Sequence, residues 1–328
     1  MILAAGLGTR LGALGGERPK PLLPVCDVPL LGYNLALLEA HGFGEVLINL
    51  HHRGDLIEAE VGAGTAKLRV TYSREPEILG TGGGIQHAAD WLTNGGRDSF
   101  LVCNGKLVID PDLPQLVALH HDSGAAATML LREVPDAARW GEIDLDGKQR
   151  VSSILGELLQ SESEIVHRNM FTGVHVLSPR LCERLPQGVS CVIRQGYLPA
   201  FRAGERISGL RYHGYFQEHS TPSRYLAGNF AVLSGAAKLR HPPAPLSGTD
   251  PTAEIGPGVT LVEPYRIGPG AQIGAGAVIG PEAVIGRRSR IAASATITRS
   301  VVWPDAHAAG SIDRAIVTPR GVFPVAES

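Results

Sequence analysis

Cysteine is scarce, with only four in 328 residues, and Cys26, Cys103, Cys182 and Cys191 are spaced too widely for a disulfide scaffold or a paired zinc motif. They read as small, reduced core residues. Neither sign of charge dominates: 30 Lys+Arg stand against 32 Asp+Glu, a net charge of −2, so nothing advertises nucleic acid as a partner. No stretch approaches the roughly 20 consecutive apolar residues that cross a bilayer. The opening Met1-Ile2-Leu3-Ala4-Ala5 lacks a basic leader and runs at once into glycines, unlike a secretory signal. These shortages point to a cytoplasmic protein that uses neither membrane nor nucleic acid. The 44% of hydrophobic positions excludes a disordered tail or a coiled-coil rod, and the length suggests two domains.

What is abundant is glycine, 41 residues, and its placement in the last quarter is regular. Every sixth residue there is a large aliphatic: Ile255, Leu261, Ile267, Ile273, Ile279, Ile285, Ile291 and Ile297. With about a quarter of positions aliphatic by chance, eight hits in one phase have a probability on the order of 10⁻⁵. Gly256, Gly268, Gly274, Gly280 and Gly286 follow five of them, and Ala271, Ala277, Ala283 and Ala295 precede others by two places. A period of six fits neither helix nor heptad. It fits a short strand and a turn forming one flat wall of a coil, with the aliphatics stacked inside at the strand spacing of roughly 4.7–4.9 Å.

This pattern resembles the hexapeptide-repeat left-handed β-helix family, in which three hexapeptides make one triangular turn. Some members are acyltransferases that use a histidine between coils. The only histidine in the segment is His307, beyond the strict repeat, so the pattern speaks for architecture and assembly rather than acyl transfer. A homo-oligomer through the coil is expected, with Ala292-Ala293-Ser294, Trp303 and the tail after Gly310 as its cap.

Upstream, aliphatic runs alternate with helical segments. Leu3-Ala4-Ala5, Glu45 to Leu50, Val70-Thr71-Tyr72 and Ser99 to Cys103 read as strands, and Leu30 to His41 and Ile85 to Leu92 as helices. The expected fold is α/β: a Rossmann-like, mostly parallel sheet over residues 1–228, a linker over 229–248 centred on His241-Pro242-Pro243-Ala244-Pro245, and the β-helix over 249–328. Such sheets bind ligands beyond the carboxyl ends of their strands.

The first strand ends in Ala5-Gly6-Leu7-Gly8-Thr9-Arg10, with Pro19-Lys20-Pro21-Leu22 shortly after. Small residues let backbone N–H groups approach a polyphosphate, and Arg10 and Lys20 carry the charge to neutralise it. Neither a GxGxxG fingerprint nor a Walker sequence is present, and a bare GxG turn also serves plain chain reversal. The compound segment from Leu3 to Val25 resembles the signature of sugar-1-phosphate nucleotidyltransferases, and its union with a hexapeptide coil is similar to the mannose-1-phosphate guanylyltransferase-like branch. The resemblance implies that Ala5, Gly6, Gly8, Thr9 and Arg10 hold a nucleoside triphosphate and that Lys20 assists the reacting phosphates. GTP and mannose 1-phosphate are the substrates it favours.

Three further segments are similar to that family. Leu79-Gly80-Thr81-Gly82-Gly83-Gly84-Ile85 resembles the loop that seats the nucleobase on bare backbone, with Gly80, Thr81 and Gly82 as contacts; Glu75 and Glu77 just upstream are either acceptors for a base N–H or solvated charges. Met170 to Val176 resembles the strand lining the sugar pocket at Gly173, and the resemblance implies that Asn104, at the end of its strand, contacts the nucleotide. Gly214 to Leu226 parallels a segment that carries a metal-binding aspartate, where this chain has Glu218.

Two departures stand out. The residue after Asn104-Gly105, which the family makes a second aspartate for magnesium, is Lys106, and an ammonium cannot ligate a metal. The family's glutamate-lysine-proline segment is also unrecognisable in Ser153-Ile154-Leu155-Gly156-Glu157-Leu158. Three readings follow: Lys106 replaces part of the ion's charge, Asp110 or Asp112 rebuilds the Mg²⁺ site with Glu218, or the chain is a catalytically silent nucleotide-sugar-binding regulator. Asp110 and Asp112 also read as turn or capping residues.

Overall fold

The computed structural model describes residues 1–134, 137, 141–158 and 167–326. The chain divides into two compact units, each assembled from separated segments: Met1–Leu7, Leu38–Gly105 and Pro111–Gly214 form one, and Gly8–Leu37, Lys106–Asp110 and Tyr215–Ser328 the other.

The first unit is built on a ten-stranded sheet. Strands Arg69–Arg74, Glu45–Leu50, Ile2–Leu3 and Phe100–Asn104 lie side by side and parallel, in that spatial order. This is a doubly wound order, with the first strand central, and apolar runs such as Val46 to Leu50 are buried because both faces are covered. Beyond Phe100–Asn104 the sheet turns antiparallel: His167–Leu177 pairs that way with Phe100–Asn104, with Ala127–Glu133 and with Glu142–Leu145. The sheet is therefore mixed, and on its far side Ile207–Arg211 runs parallel beside Ala127–Glu133. Residues 30–40 are helical as the periodicity predicts. The helix expected to start at Ile85 begins five residues earlier, at Gly80, so most of the glycine stretch is itself helical.

The second unit carries the coil. From Gly248 onward, three parallel sheets of short strands stack, one per wall. Ile255 pairs with Ile273 and Ile273 with Ile291; Leu261 pairs with Ile279 and Ile279 with Ile297; Ile267 pairs with Ile285. Each partner lies three hexapeptides on, so one phase of the repeat returns to the same wall. Ile267, Ile273, Ile279, Ile285, Ile291 and Ile297 form one buried column with Ala271, Ala277, Ala283 and Ala295. The expected interior stacking holds there, whereas Ile255, in the first turn, is exposed because no coil covers it. After Ile297 the turns shorten, with Ile297 opposite Ile312 and Val302 opposite Val317.

Trp303 is not part of a cap. It is fully buried, its indole N–H donates to the Tyr225 hydroxyl at 3.1 Å, and it joins the apolar cluster of the helix Pro222–Leu233. The tail folds back on the coil as strand Gly321–Pro324, antiparallel to Ala315–Thr318. The cysteines are free, three of them buried. Among the described residues no helix is long and apolar enough to cross a membrane.

Candidate active site

In the first unit, two loops at the carboxyl ends of the parallel strands are tied by one buried carboxylate. Asn49 is the next-to-last residue of the strand Glu45–Leu50; its side-chain oxygen accepts from Ala4 N–H at 2.7 Å, and its amide donates to Glu75 Oε1 at 2.7 Å. Glu75 Oε2 accepts from Leu79 N–H at 3.1 Å. Both Glu75 oxygens are thus engaged in holding the chain before Gly80, while Glu77 is exposed. Sequence reasoning missed Asn49, although an asparagine inside the apolar run from Val46 to Leu50 was the available signal.

The glycines at 80–83 have an internal reason. A Cβ on Gly80 would lie 2.5 Å from Ser190 O, one on Gly82 2.6 Å from Ser190 Oγ, and one on Gly83 2.1 Å from Gly188 O. Gly82 N–H donates to Ser190 O at 2.9 Å, and Thr81 Oγ1 accepts from Val192 N–H at 3.0 Å. The segment 188–192 covers that side of the helix start. Asn104 and Gly173 are neighbours: Gly173 has φ +86° at a register shift in its strand, and a Cβ there would fall 2.0 Å from Asn104 Nδ2. Ala5 is buried, and Gly6 is exposed with nothing within 4 Å of a Cβ position, so the opening loop is not filled by its own side chains.

The second unit gathers the charges. Thr9 and Arg10 lie in a short 3₁₀ turn and are exposed. Lys20 opens another such turn; Pro19 and Pro21 flank it and fix its path, and its side chain is only 8% exposed. The strand Leu107–Ile109 pairs antiparallel with Phe216–Glu218, with Glu218 opposite Leu107, which sets Lys106 beside Glu218. Three cations converge on Glu218 Oε1: Lys106 Nζ at 2.6 Å, Arg10 Nη2 at 3.5 Å and Lys20 Nζ at 3.6 Å. Burial alone would raise the Glu218 carboxyl, but the cations, Lys106 foremost, outweigh it and hold it below the usual carboxylate range. Lys20 is pushed down to about 8, by burial first and then by the charge on Lys106, with Glu218 opposing. His219, fully buried against Gly228, falls to about 3 through burial and adds no charge.

Three positive groups against one carboxylate leave the cluster at +2, so its complement is an anion. The resemblance implies magnesium, and the donor set does not fit an ion held by the protein. Each ammonium about 4 Å from a divalent ion would repel it by about 8 kcal/mol at an effective dielectric of 20, and among the described residues Glu218 is the one carboxylate paired with these cations. Among the described residues no group of three or more His, Cys, Asp or Glu could hold a metal. Asp110 and Asp112 do not rebuild the site. Asp110 accepts from His241 N–H at 2.9 Å and from His241 Nδ1 at 2.8 Å, as well as from Arg240 N–H, pinning the chain at Arg240-His241; Asp112 caps the helix Leu113–Ser123 by accepting from Gln115 N–H at 3.0 Å.

Residues 1–156 match the nucleotidyl transferase family profile, and residues 264–299 match the bacterial transferase hexapeptide (six repeats). The chain is 30% identical over 281 residues to the mannose-1-phosphate guanylyltransferase of Mycobacterium tuberculosis, covering 83% of this chain and 75% of that protein. The chain belongs to the sugar-1-phosphate nucleotidyltransferase family. This nucleotidyltransferase is also 25% identical to the mannose-1-phosphate guanylyltransferase catalytic subunit beta of Xenopus tropicalis, over 78% of this chain and 72% of that one. The crystal structure of HddC from Yersinia pseudotuberculosis complexed with GMP-PN aligns with a TM-score of 0.57 and 26% identity, covering 70% of this chain and 96% of that chain. The catalytically silent reading finds no support among these relatives.

Proposed function

We propose that this nucleotidyltransferase joins GTP to mannose 1-phosphate, giving the nucleotide sugar and pyrophosphate. The phosphate oxygen of the sugar attacks the α-phosphorus in line, the bond to the β-phosphate breaks, and pyrophosphate leaves with the electron pair. No covalent enzyme intermediate is needed, so the chain's work is positioning and charge stabilisation. The observation that carries the reading is the +2 cluster: Arg10 and Lys20 bind the triphosphate, and Lys106 supplies positive charge where the resemblance implies a carboxylate-held ion. Glu218 is a positioning residue that holds three mutually repelling cations at one place. In the first unit Gly80 and Thr81 are half-buried whereas Gly82 is buried with its N–H bonded to Ser190 O, so the base contact that the resemblance implies for this stretch, with Glu77, falls to Gly80 and Thr81; Asn104 serves the nucleotide and Gly173 the sugar, as the resemblance implies. The names of the mannose-1-phosphate guanylyltransferase relatives, and the GMP-PN complex of HddC, support the choice of guanine and mannose.

The test is pyrophosphate release in magnesium buffer from each of the four nucleoside triphosphates with mannose 1-phosphate or glucose 1-phosphate. GTP with mannose 1-phosphate is expected to give the highest kcat/KM; release from another pair only would overturn the specificity, and release from none would overturn the function.

The lowered pKa of Lys20 adds a pH dependence. The charged amine binds phosphate, so kcat/KM for the nucleotide is expected to fall as pH rises through about 8. Bound phosphates favour the ammonium, which moves the corresponding limb of kcat to higher pH. Stability carries the opposite sign: between about 8 and 10.5 the unfolded chain keeps a proton that folded Lys20 has released, so this group makes folding more favourable as pH rises across that window. A kcat/KM profile flat to pH 10, or one unaltered in Lys20→Arg, would remove Lys20 from phosphate binding.

A further inference from the structure

The hairpin formed by Pro24–Val25 and Val28–Pro29 turns through Cys26 and Asp27, both at positive φ. Cys26 N–H donates to Asn229 Oδ1 at 2.9 Å. Asp27 Oδ1 accepts from Arg287 N–H at 2.9 Å, and Asp27 O accepts from Arg287 Nη2 at 2.7 Å. Arg288 forks onto both carboxylate oxygens of Asp305, at 2.7 and 2.9 Å. These two arginines have acidic partners. Arg266, on the strand Tyr265–Ile267, does not have one in hydrogen-bond reach.

Its side chain is 7% exposed, and Asp250 reaches it only at long range: Oδ2 lies 3.8 Å from Arg266 Nη2, while Oδ1 accepts from Thr252 N–H and Thr252 Oγ1. Arg266 Nε is sealed from solvent with no hydrogen-bond partner. A guanidinium cannot shed its proton to escape burial, so its desolvation is offset by acceptors for its donors, most strongly by an anion. The same side chain lines a cleft of about 460 Å³, walled on its apolar side by Val28, Ala244 and Pro269. That volume exceeds a bare oxyanion and suits one with a small organic body. None of its residues belongs to the Arg10, Lys20, Lys106 and Glu218 cluster.

We propose that this cleft is a second anion site, in which Arg266 receives the phosphoryl group of a small phosphorylated metabolite. Two phosphoryl oxygens meet the planar fork of the guanidinium, and Val28, Ala244 and Pro269 contact the attached body. Asp27, engaged by Arg287, closes one side.

Calorimetric titration of the full chain with glucose 6-phosphate tests it, with inorganic phosphate and glucuronate as separate arms for the phosphoryl group alone and for a carboxylate on the same sugar. Glucose 6-phosphate is expected to bind one site, more tightly than either comparator. Arg266→Gln is expected to weaken it by at least about tenfold, the loss of a bidentate charged pair, while Lys20→Met leaves it unchanged. If Arg266→Gln does not melt cooperatively, Arg266→Lys, which keeps the charge and loses the fork, is expected to weaken binding several-fold. Equal affinity in the folded Arg266 variant, loss in Lys20→Met instead, tighter binding of glucuronate, or no heat at millimolar ligand would each overturn the proposal.

Discussion

Lys106→Met is expected to lower kcat/KM by about 10²- to 10³-fold, the range found when one preorganised donor to developing charge is removed. The side chain is 36% exposed, and its loss leaves Glu218 paired to Arg10 at 3.5 Å and Lys20 at 3.6 Å, so the melting temperature should hardly move. A structural role would show the reverse, a lower melting temperature with kinetics preserved. The pH profile gives an independent readout. The charge on Lys106 is one of the causes that lower Lys20, so the methionine variant should shift the alkaline limb of kcat/KM to higher pH. Lys106→Asp takes the cluster from +2 to neutral and sets two carboxylates side by side. It should lose activity at least as severely, and what remains should rise steeply with added magnesium. Steady-state pyrophosphate release from both variants across pH and magnesium concentration checks all three expectations. A methionine variant within about threefold of the parent would mean that Lys106 only neutralises Glu218.

Much of the coil was legible because its register repeats. Once Ile267 faces Ile285, the same spacing places Ile273 on Ile291 and Ile279 on Ile297, and a strict period of six is the one-dimensional trace of that stacking. The trace ends where the turns shorten after Ile297, so Trp303 read as a cap although it is bolted to Tyr225 on a distant helix. In the site, residue identities were readable and their reasons were not. The glycines at 80–83 looked like a bare floor for a base. Their local requirement comes from residues 188–192, over a hundred positions downstream, and no local pattern encodes that approach. Lys106 was recognisable as a departure, but its sharing of one carboxylate with Arg10 and Lys20 depends on the ladder that sets Glu218 opposite Leu107. Pairings of that sequence separation are properties of the folded chain.

Glu75→Leu is expected to destabilise the first unit by about 2–4 kcal/mol and to raise the nucleotide KM more than it lowers kcat. Glu75 is 4% exposed, so leucine fills a space already closed to water. It leaves the Asn49 amide and the Leu79 N–H without the acceptors they have at 2.7 and 3.1 Å, and a buried donor stripped of its partner costs more than an average hydrogen bond contributes. Asn49 in turn fixes Ala4 N–H, so the disturbance reaches the opening glycine loop and the helix start at Gly80 together. Gly84 packs against the same carboxylate, where a Cβ would stand 2.6 Å from Oε1, and the bulkier leucine head should push on it directly. Glu75→Gln separates the two effects. It nearly keeps the shape but turns one acceptor into a donor facing another donor, so an intermediate loss of about 1–2 kcal/mol is expected. Urea denaturation gives the stability change, and initial rates at varied nucleotide concentration give the kinetic split. A leucine variant as stable as the parent, with its nucleotide KM unchanged, would show that the two loops hold their places without the Asn49–Glu75 link.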